Sequence, residues 1–216
     1  RSQDFGTHWS ANAAHWSRAC PNCRVGLVVD PSKTLFVTFR EHFEGQIRDA
    51  VLARPYGALV RMHEDDWRNP MCPAVGPAMT LSRDGTLRIA WFTDAPGRTG
   101  VWFRESVPVV MDSSATPVPV LVSRSLPAVH VGLGEAGMRG TLIACDADST
   151  GTNQLTLARV EPSGRRVVER FIVPGTLGAS YPSIASERTE RFAYVAWTAT
   201  AGDRRELRLA RWDLGR

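Results

Sequence analysis

The sequence predicts an all-β fold, a small β-propeller of about four blades that forms one domain. Three observations predict it: an internal repeat, several short strand patterns in each repeat, and almost no helical periodicity. The repeats are marked by the equivalent positions Phe39, Trp91, Cys145 and Trp197. Their period of about 50 residues is in the range of propeller blades, and four short strands make up one blade.

Each repeat has the same internal order of strands and turns. A short strand leads into a turn, which is clearest at Asp84-Gly85, a strong hairpin signal. The second strand alternates with a period of two toward a bulky residue, as in Leu87, Ile89 and Trp91. A polar loop, a third strand and a weaker fourth strand complete the repeat. The predicted blades are 20–73, 74–124, 125–178 and 179–216, after a leader at 1–19.

The leader is a candidate for closing the propeller. The fourth repeat ends after its third strand and lacks a fourth, and exposed strand edges in proteins are normally covered. We expect Thr7–Ala11 to pair with this edge as a closing strand. The leader also carries aromatic residues that either pack in the closing blade or bind a partner protein. These are Phe5, Trp9 and Trp16.

Charge and hydropathy exclude two classes of protein. The net charge is +4, and all basic residues except Lys33 are arginines, which suit carboxylate and phosphate groups. Codon bias in a GC-rich genome is the favoured explanation of the arginines, and an anionic partner is the alternative. The densest basic stretch, at 204–211, is diluted by acidic residues, so we exclude nucleic acid as the main partner. The chain has no run of 18 apolar residues, so it has no predicted transmembrane segment.

The four cysteines are Cys20, Cys23, Cys72 and Cys145. The first two form a CxxC motif, but Arg24 follows where c-type haem attachment requires histidine. A second CxxC motif and a βαβ context are both absent, which argues against a four-cysteine zinc site and a thioredoxin-like redox site. We therefore expect a structural disulfide from Cys20 or Cys23 to Cys72, and with it an oxidising, extracytoplasmic compartment.

Two further groups of residues are candidates for ligand binding. His8 and His15 lie near the CxxC motif in sequence, so a mixed metal site of His8, His15, Cys20 and Cys23 is a weaker alternative to the disulfide. Polar residues also flank two long loops that are expected on one face of the propeller, where they form either a binding face or structural ion pairs. This loop face consists of Arg40, His42, Arg48, Asp49, Asp66 and Trp67.

Several motifs of the first half of the chain resemble those of a known group. They are Cys20-Pro-Asn-Cys23-Arg24, Phe39-Arg40, Ile47-Arg48-Asp49, Asp65-Asp66-Trp67, Met71-Cys72-Pro73, Gly76-Pro77-Ala78 and Ala90-Trp91-Phe92-Thr93. Together they resemble exported bacterial proteins of the sialidase-like propeller superfamily, the BNR-repeat group that includes exo-alpha-sialidases, in a shortened and degenerate form. The resemblance covers about residues 18–105 and implies a propeller fold.

The chain departs from this group at the residues that carry activity. The Asp-boxes of sialidase-like blades, roughly SxDxGxTW, are lost at 54–59 and 105–108. Sialidases also use an arginine triad, a Tyr–Glu nucleophile pair and an aspartic acid, and their Arg-Ile-Pro motif is absent here. Glycoside hydrolysis needs two carboxylates at a defined separation, and no motif offers them. We therefore expect that the chain is not an enzyme.

These observations predict a non-catalytic, extracytoplasmic propeller without a cofactor. It would act as a scaffold or accessory subunit that binds other protein subunits of a larger assembly, membrane-bound assemblies included. The alternative is a carbohydrate- or metal-binding protein, or a cryptic glycoside hydrolase. Such a protein would use the loop face around Arg40, Arg48, Asp49 and Asp66.

Overall fold

The computed structural model describes residues 2–57, 59–106, 118–124, 129–148, 153–187 and 189–215. Within these ranges the regular structure is β, apart from 3-10 turns at Glu44–Gln46 and Gly137–Arg139. No helix in the described ranges is long and apolar enough to cross a membrane.

The strands form four antiparallel sheets, each made of strands consecutive in sequence. The first sheet contains β1 (Gly26–Val29), β2 (Leu35–Arg40), β3 (Ala50–Ala53) and β4 (Leu59–Arg61). The second contains β5 (Ala78–Leu81), β6 (Leu87–Thr93), β7 (Gly100–Ser106) and β8 (Val120–Ser123). The third contains β9 (Val131–Glu135), β10 (Thr141–Asp148), β11 (Asn153–Val160) and β12 (Val167–Ile172). The fourth contains β13 (Ser180–Ser186), β14 (Phe192–Ala201) and β15 (Arg204–Asp213).

The core lies between neighbouring sheets, as a propeller requires. In β6, Leu87, Ile89 and Trp91 pack against the first sheet. The intervening residues Ala90 and Phe92 point the other way and pack against the third sheet. Because successive side chains of a strand point to opposite faces, this strand packs apolar residues on both sides and is completely buried, Arg88 and Thr93 included. The predicted four-bladed all-β architecture is confirmed.

The first strands of neighbouring sheets approach each other closely. A Cβ atom on Gly132 would lie 2.7 Å from the backbone oxygen of Pro182, and one on Gly134 would lie 2.9 Å from that of Ile184. Only glycine permits so short a distance between β9 and β13. Gly132 faces Pro182, and Gly134, two residues later, faces Ile184, also two residues later. The two strands therefore run parallel and begin side by side. We call the end of the sheets where the first strands begin the upper end, and the opposite end the lower end.

The expected closing strand is not formed. Within the described ranges the fourth sheet has three strands, and residues 2–18 contain none. The leader packs on the first blade instead, with Trp16 against Phe39 at 5.3 Å between ring centroids and His15 against Tyr56 at 4.7 Å. The prediction that Thr7–Ala11 pairs with the last blade is therefore wrong.

The leader's remaining aromatic residues stay at the surface. Phe5 and Trp9 are both exposed, and the indole N–H of Trp9 donates to the backbone oxygen of Gly6 at 3.0 Å. They do not pack in a blade, so one of the two predicted roles for them is excluded. The other role, binding a partner protein, stays a prediction.

Candidate functional site

The predicted loop face comes together at the upper end, but most of it is buried. Arg40 is completely buried, and its guanidinium donates to the backbone oxygens of Val75, Arg48 and Phe92. Burial lowers the pKa of Arg40, and the nearby Cys23 counteracts this. One side chain thus satisfies carbonyl groups of two loops and of strand β6, which is a structural role.

Asp49 has a similar role beside Arg40. Its carboxylate is completely buried and accepts the backbone N–H groups of Asp66 and Trp67, each at 3.1 Å. Burial raises the pKa of Asp49, and these two hydrogen bonds counteract the effect. Arg48 is also buried and donates to the backbone oxygen of Asn69 at 3.2 Å.

Two residues of the loop face remain accessible. The Asp66 side chain is 62% exposed, and Arg61 Nη1 lies 3.4 Å from its Oδ1. His42 shares a hydrogen bond of 3.1 Å with Gln46. Because Arg40, Arg48, Asp49 and Trp67 are buried, the contacts support the structural alternative for those four. A binding role for the loop face stays a prediction.

Three cysteines predicted to be neighbours form a compact group, which we call the thiol cluster: Cys20, Cys23 and Cys72. The Sγ atom of Cys20 lies 2.8 Å from that of Cys23 and 2.9 Å from that of Cys72, and the third distance is 3.6 Å. None of these three cysteines forms a disulfide in the structure. The expected disulfide stays a prediction, whereas the expected proximity is observed.

The two histidines of the alternative metal site do not join this cluster. His8 Nδ1 lies 2.5 Å from Asp4 Oδ2 in the leader, and His15 packs on Trp16 and Tyr56. In the described part of the chain, the metal-ligating group at this place consists of the three cysteines alone. The third member of the group beside Cys20 and Cys23 is thus Cys72, and not His8 or His15 as sequence proximity suggested.

A second polar group at the upper end lies between the third and fourth blades. We call it the His–Asp–Tyr site: His130, Asp146 and Tyr181. Asp146 is buried and accepts three hydrogen bonds: from the backbone N–H of His130 at 2.6 Å, from His130 Nδ1 at 2.8 Å and from the backbone N–H of Tyr181 at 3.1 Å. The rings of His130 and Tyr181 lie 4.1 Å apart between centroids. A buried carboxylate thus fixes a half-buried imidazole against an exposed phenol.

Tyr181 has an unusual backbone conformation. Its φ is 56°, in the left-handed region, and the pairing of β13 with β14 shifts register between Ser180 and Ser183. Bulges of this kind re-aim a side chain, and strained residues cluster at functional sites. A left-handed non-glycine residue costs about 1–3 kcal/mol, and the hydrogen bond to Asp146 helps to hold Tyr181 in place.

An arginine reaches the same site from the first blade. Arg24 is exposed, precedes β1 and donates from Nη1 to the backbone oxygen of Val131 at 3.3 Å. Val131 follows His130 directly at the start of β9. The guanidinium therefore adds a positive charge beside the His–Asp–Tyr site.

The lower end carries a different cluster. Arg88 is buried and bridges two glutamates, with Nε 2.9 Å from Glu105 and Nη1 2.8 Å from Glu135. Burial raises the pKa of both glutamates, and Arg88 counteracts it. A cavity of about 180 Å³ lies against Arg88, Asp84 and Glu135. Because Arg88 pairs with both glutamates, this cluster ties blades together rather than offering free carboxylates.

The His–Asp–Tyr site was not predicted from the sequence, although a signal was present. Its residues are 16 and 35 positions apart and form no motif. Within the repeat, however, His130 and Tyr181 lie at the beginning of first strands, and Asp146 follows the repeat marker Cys145 in a second strand. In antiparallel sheets these positions share one end, so the repeat alignment contained the information.

Comparisons with known proteins place the chain by its fold. No protein family matches the sequence, and no curated protein matches it either. Among solved structures, an exo-beta-1,3-galactanase from Phanerochaete chrysosporium has a TM-score of 0.53 at 11% identity, over 96% of this chain and 53% of that one. An ulvan lyase of polysaccharide lyase family PL25 has a TM-score of 0.53 at 10% identity, over 86% and 54% of the two chains. The chain thus spans about half the length of these proteins, and at such identity the likeness shows the fold alone.

These structures correct one expectation from the sequence. We expected that the chain is not an enzyme, because the sialidase residues are missing. Solved structures that share its fold include a galactanase and a lyase, so this conclusion was wrong: propellers of this kind carry activities that sialidase motifs do not reveal. The likeness supports the propeller but adds nothing on BNR repeats or the CPxC motif. It agrees better with the carbohydrate alternative than with a scaffold.

Proposed function

We propose that this chain binds an acidic polysaccharide at the His–Asp–Tyr site and cleaves it by β-elimination. One observation carries the proposal. Buried Asp146 accepts hydrogen bonds from both His130 Nδ1 and the Tyr181 backbone, and the two rings lie 4.1 Å apart between centroids. Proton abstraction beside a carboxyl group needs a base and an acid in this relation.

His130 is the proposed base. Because Nδ1 donates its proton to Asp146, the lone pair of the neutral ring lies on Nε2. Histidine is the side chain used most often for proton transfer near neutral pH. The hydrogen bond of 2.8 Å to a buried carboxylate holds this tautomer and also stabilises the imidazolium that forms when Nε2 takes a proton.

Tyr181 is the proposed acid, and the elimination consumes no water molecule. Nε2 of His130 takes the proton from the sugar carbon next to the carboxyl group. The electron pair of that bond becomes a carbon–carbon double bond, and the bond from the next carbon to the glycosidic oxygen breaks. The hydroxyl of Tyr181 gives its proton to the departing oxygen. Solvent then returns the proton from His130 to Tyr181.

Arg24 is the proposed anchor for the substrate. A guanidinium matches the geometry of a carboxylate, and charge on the carboxyl group increases as the neighbouring carbon loses its proton. Arg24 lies beside His130 through its hydrogen bond to Val131. The ulvan lyase of similar fold was solved with an acidic saccharide containing GlcA and Rha3S, which agrees with this class of substrate.

Elimination suits this site better than hydrolysis. Most glycoside hydrolases need two carboxyl groups on either side of the bond. At the His–Asp–Tyr site the carboxyl group is Asp146, which is buried and already accepts three hydrogen bonds. An extracytoplasmic location is part of the proposal, since a polymeric substrate lies outside the cell.

The test is a lyase assay on uronate-containing polysaccharides. We expect the wild-type chain to generate the ultraviolet absorbance of an unsaturated uronate. His130→Gln and Tyr181→Phe should each lower the rate by about 10²–10⁴-fold. The matched control is His42→Gln, a histidine in a loop of the first blade, which should leave the rate unchanged. Reducing ends formed without the double bond would show hydrolysis and refute the proposal, as would full activity in His130→Gln.

A further inference from the structure

The thiol cluster joins two loops into one three-sulfur face. Cys20 and Cys23 come from the turn before β1, where the Cys23 N–H donates to the Cys20 backbone oxygen at 3.4 Å. Cys72 comes from the segment between β4 and β5. The three Sγ atoms lie within 3.6 Å of one another, and two of the three residues are buried. Convergence of thiols from separate loops is typical of a metal site or a disulfide.

Positive charge and N–H groups surround the sulfurs. The guanidinium of Arg48 interacts electrostatically with Cys20, and that of Arg40 interacts with Cys23. The backbone N–H groups of Ala74 and Asn22 donate to Cys72. Ala74 has a left-handed φ of 57°, so the chain is held in an unfavourable conformation beside the sulfur. Burial nevertheless raises the pKa of both Cys20 and Cys23. The feature that favours a metal site is therefore the convergence of the three sulfurs.

From these contacts we infer that Cys20, Cys23 and Cys72 form a three-thiolate site for Cu(I). Thiolates are soft ligands that select Cu(I), whereas structural Zn²⁺ sites use four ligands. Within the described ranges, no histidine or carboxylate belongs to the group around these sulfurs. An ion with sulfur bonds of about 2.3 Å fits the triangle once each sulfur moves outward by roughly half an ångström.

The number of thiols also separates this proposal from the disulfide. A bond between any two members would leave the third cysteine unpaired and remove the site. A structural disulfide needs two cysteines, whereas all three sulfurs here face one another at similar distances. The cluster is separate from the His–Asp–Tyr site in sequence and chemistry, so the Cu(I) proposal does not depend on the proposed lyase activity.

The test is a competition titration of the full, reduced chain with Cu(I) and a chromophoric Cu(I) chelator under anaerobic conditions. We expect one Cu(I) per chain and an ultraviolet thiolate-to-copper absorbance. Cys72→Ser and Cys20→Ser should each weaken binding by more than about 100-fold, because loss of a ligand exceeds the effect of losing an outer contact. Cys145→Ser, which removes a buried thiol of the third blade, is the matched control and should bind as wild type.

Three outcomes would overturn the inference. The first is a reduced wild-type chain that leaves all Cu(I) with the chelator. The second is equal binding by wild type and by a Cys72→Ser chain whose circular dichroism shows that it is folded. The third is Zn²⁺ that binds and is not displaced by Cu(I). Thiol counting on the unreduced chain adds a further test, because two thiols lost to a bond within the cluster would support the disulfide instead.

Discussion

The first and the last two blades use buried aspartates in different ways. Asp49, in the first blade, accepts the backbone N–H groups of Asp66 and Trp67 and so fixes a loop. Asp146, in the third blade, accepts backbone N–H groups and also the ring nitrogen of His130. Both carboxylates are buried to the same degree. The difference lies in their side-chain partners: Arg61 Nη2 lies 3.6 Å from Asp49, whereas the partner of Asp146 is the half-buried imidazole of His130.

The two aspartates therefore have different roles, because Asp49 holds a loop and Asp146 holds an imidazole. The motifs around Arg40 and Asp49 mark a part of the molecule in which charged side chains satisfy buried backbone groups. Such contacts are energetically necessary, because an unpaired buried polar group costs about 1–3 kcal/mol. The His–Asp–Tyr site has no motif, yet it carries the groups that can move a proton.

The largest expected effect is on the lyase rate, when each of the two aspartates is changed separately to asparagine. Asp146→Asn should lower the lyase rate by about 10²–10⁴-fold, because an amide does not hold the proton on Nδ1 of His130. Asp49→Asn should reduce the free energy of unfolding by about 1–3 kcal/mol and leave the rate per folded molecule unchanged. Urea unfolding and initial rates on the same preparations measure both. Equal rate losses in the two variants would contradict the distinction between the two blades.

A change at Arg40 tests only whether the buried charged residues of the first blade stabilise the fold. Arg40→Met keeps the length of the side chain but leaves the backbone oxygens of Val75 and Phe92 without their buried donor. The free energy of unfolding should fall by about 2–4 kcal/mol, as measured by urea unfolding. Arg68→Met, in the same region, removes an exposed contact to Gly45 and should cost less than about 0.5 kcal/mol. Similar losses in both variants would mean that burial of Arg40 contributes little.

The fold was predictable from the sequence to the extent that local patterns determine it. Alternation at Leu87, Ile89 and Trp91 and the spacing of the repeat markers are local, and they sufficed for four sheets. Closure of the last blade was not predictable in this way. Pairing of an edge strand competes with other contacts of the leader, and here packing of Trp16 on Phe39 is favoured.

The two candidate sites also differ in how far the sequence predicts them. The thiol cluster was predictable as a group, because cysteine is rare in the chain and its partners for bonding are few. The His–Asp–Tyr site was not, because histidine, aspartate and tyrosine each have common structural roles. Its assembly also depends on the close approach of β9 and β13 at Gly132 and on the left-handed φ of Tyr181. These are properties of the backbone that residue spacing alone does not encode.

Asp84, an exposed aspartate, provides the smallest and most sensitive test, because it isolates hydrogen bonding from burial. The Ser82 hydroxyl and the Thr86 backbone N–H donate to its carboxylate, and they lower its pKa from 3.8 to about 2. A pKa that is lower in the folded state means that the ionised form stabilises the fold. Its contribution is therefore complete above pH 3.8 and is lost as the pH falls toward 2. Because Asp84 is largely exposed, screening by solvent limits this contribution to roughly 0.5 kcal/mol.

Asp84→Asn should therefore be less stable than wild type at pH 5, and the difference should shrink between pH 4 and pH 2 in urea unfolding. Asp203→Asn makes the same change of net charge in an exposed turn of the last blade and serves as the control. If the two variants differ from wild type by the same amount at every pH, then hydrogen bonds to an exposed carboxylate contribute nothing measurable here. The comparison of Asp49 with Asp146 would then rest on burial and not on the identity of the donors.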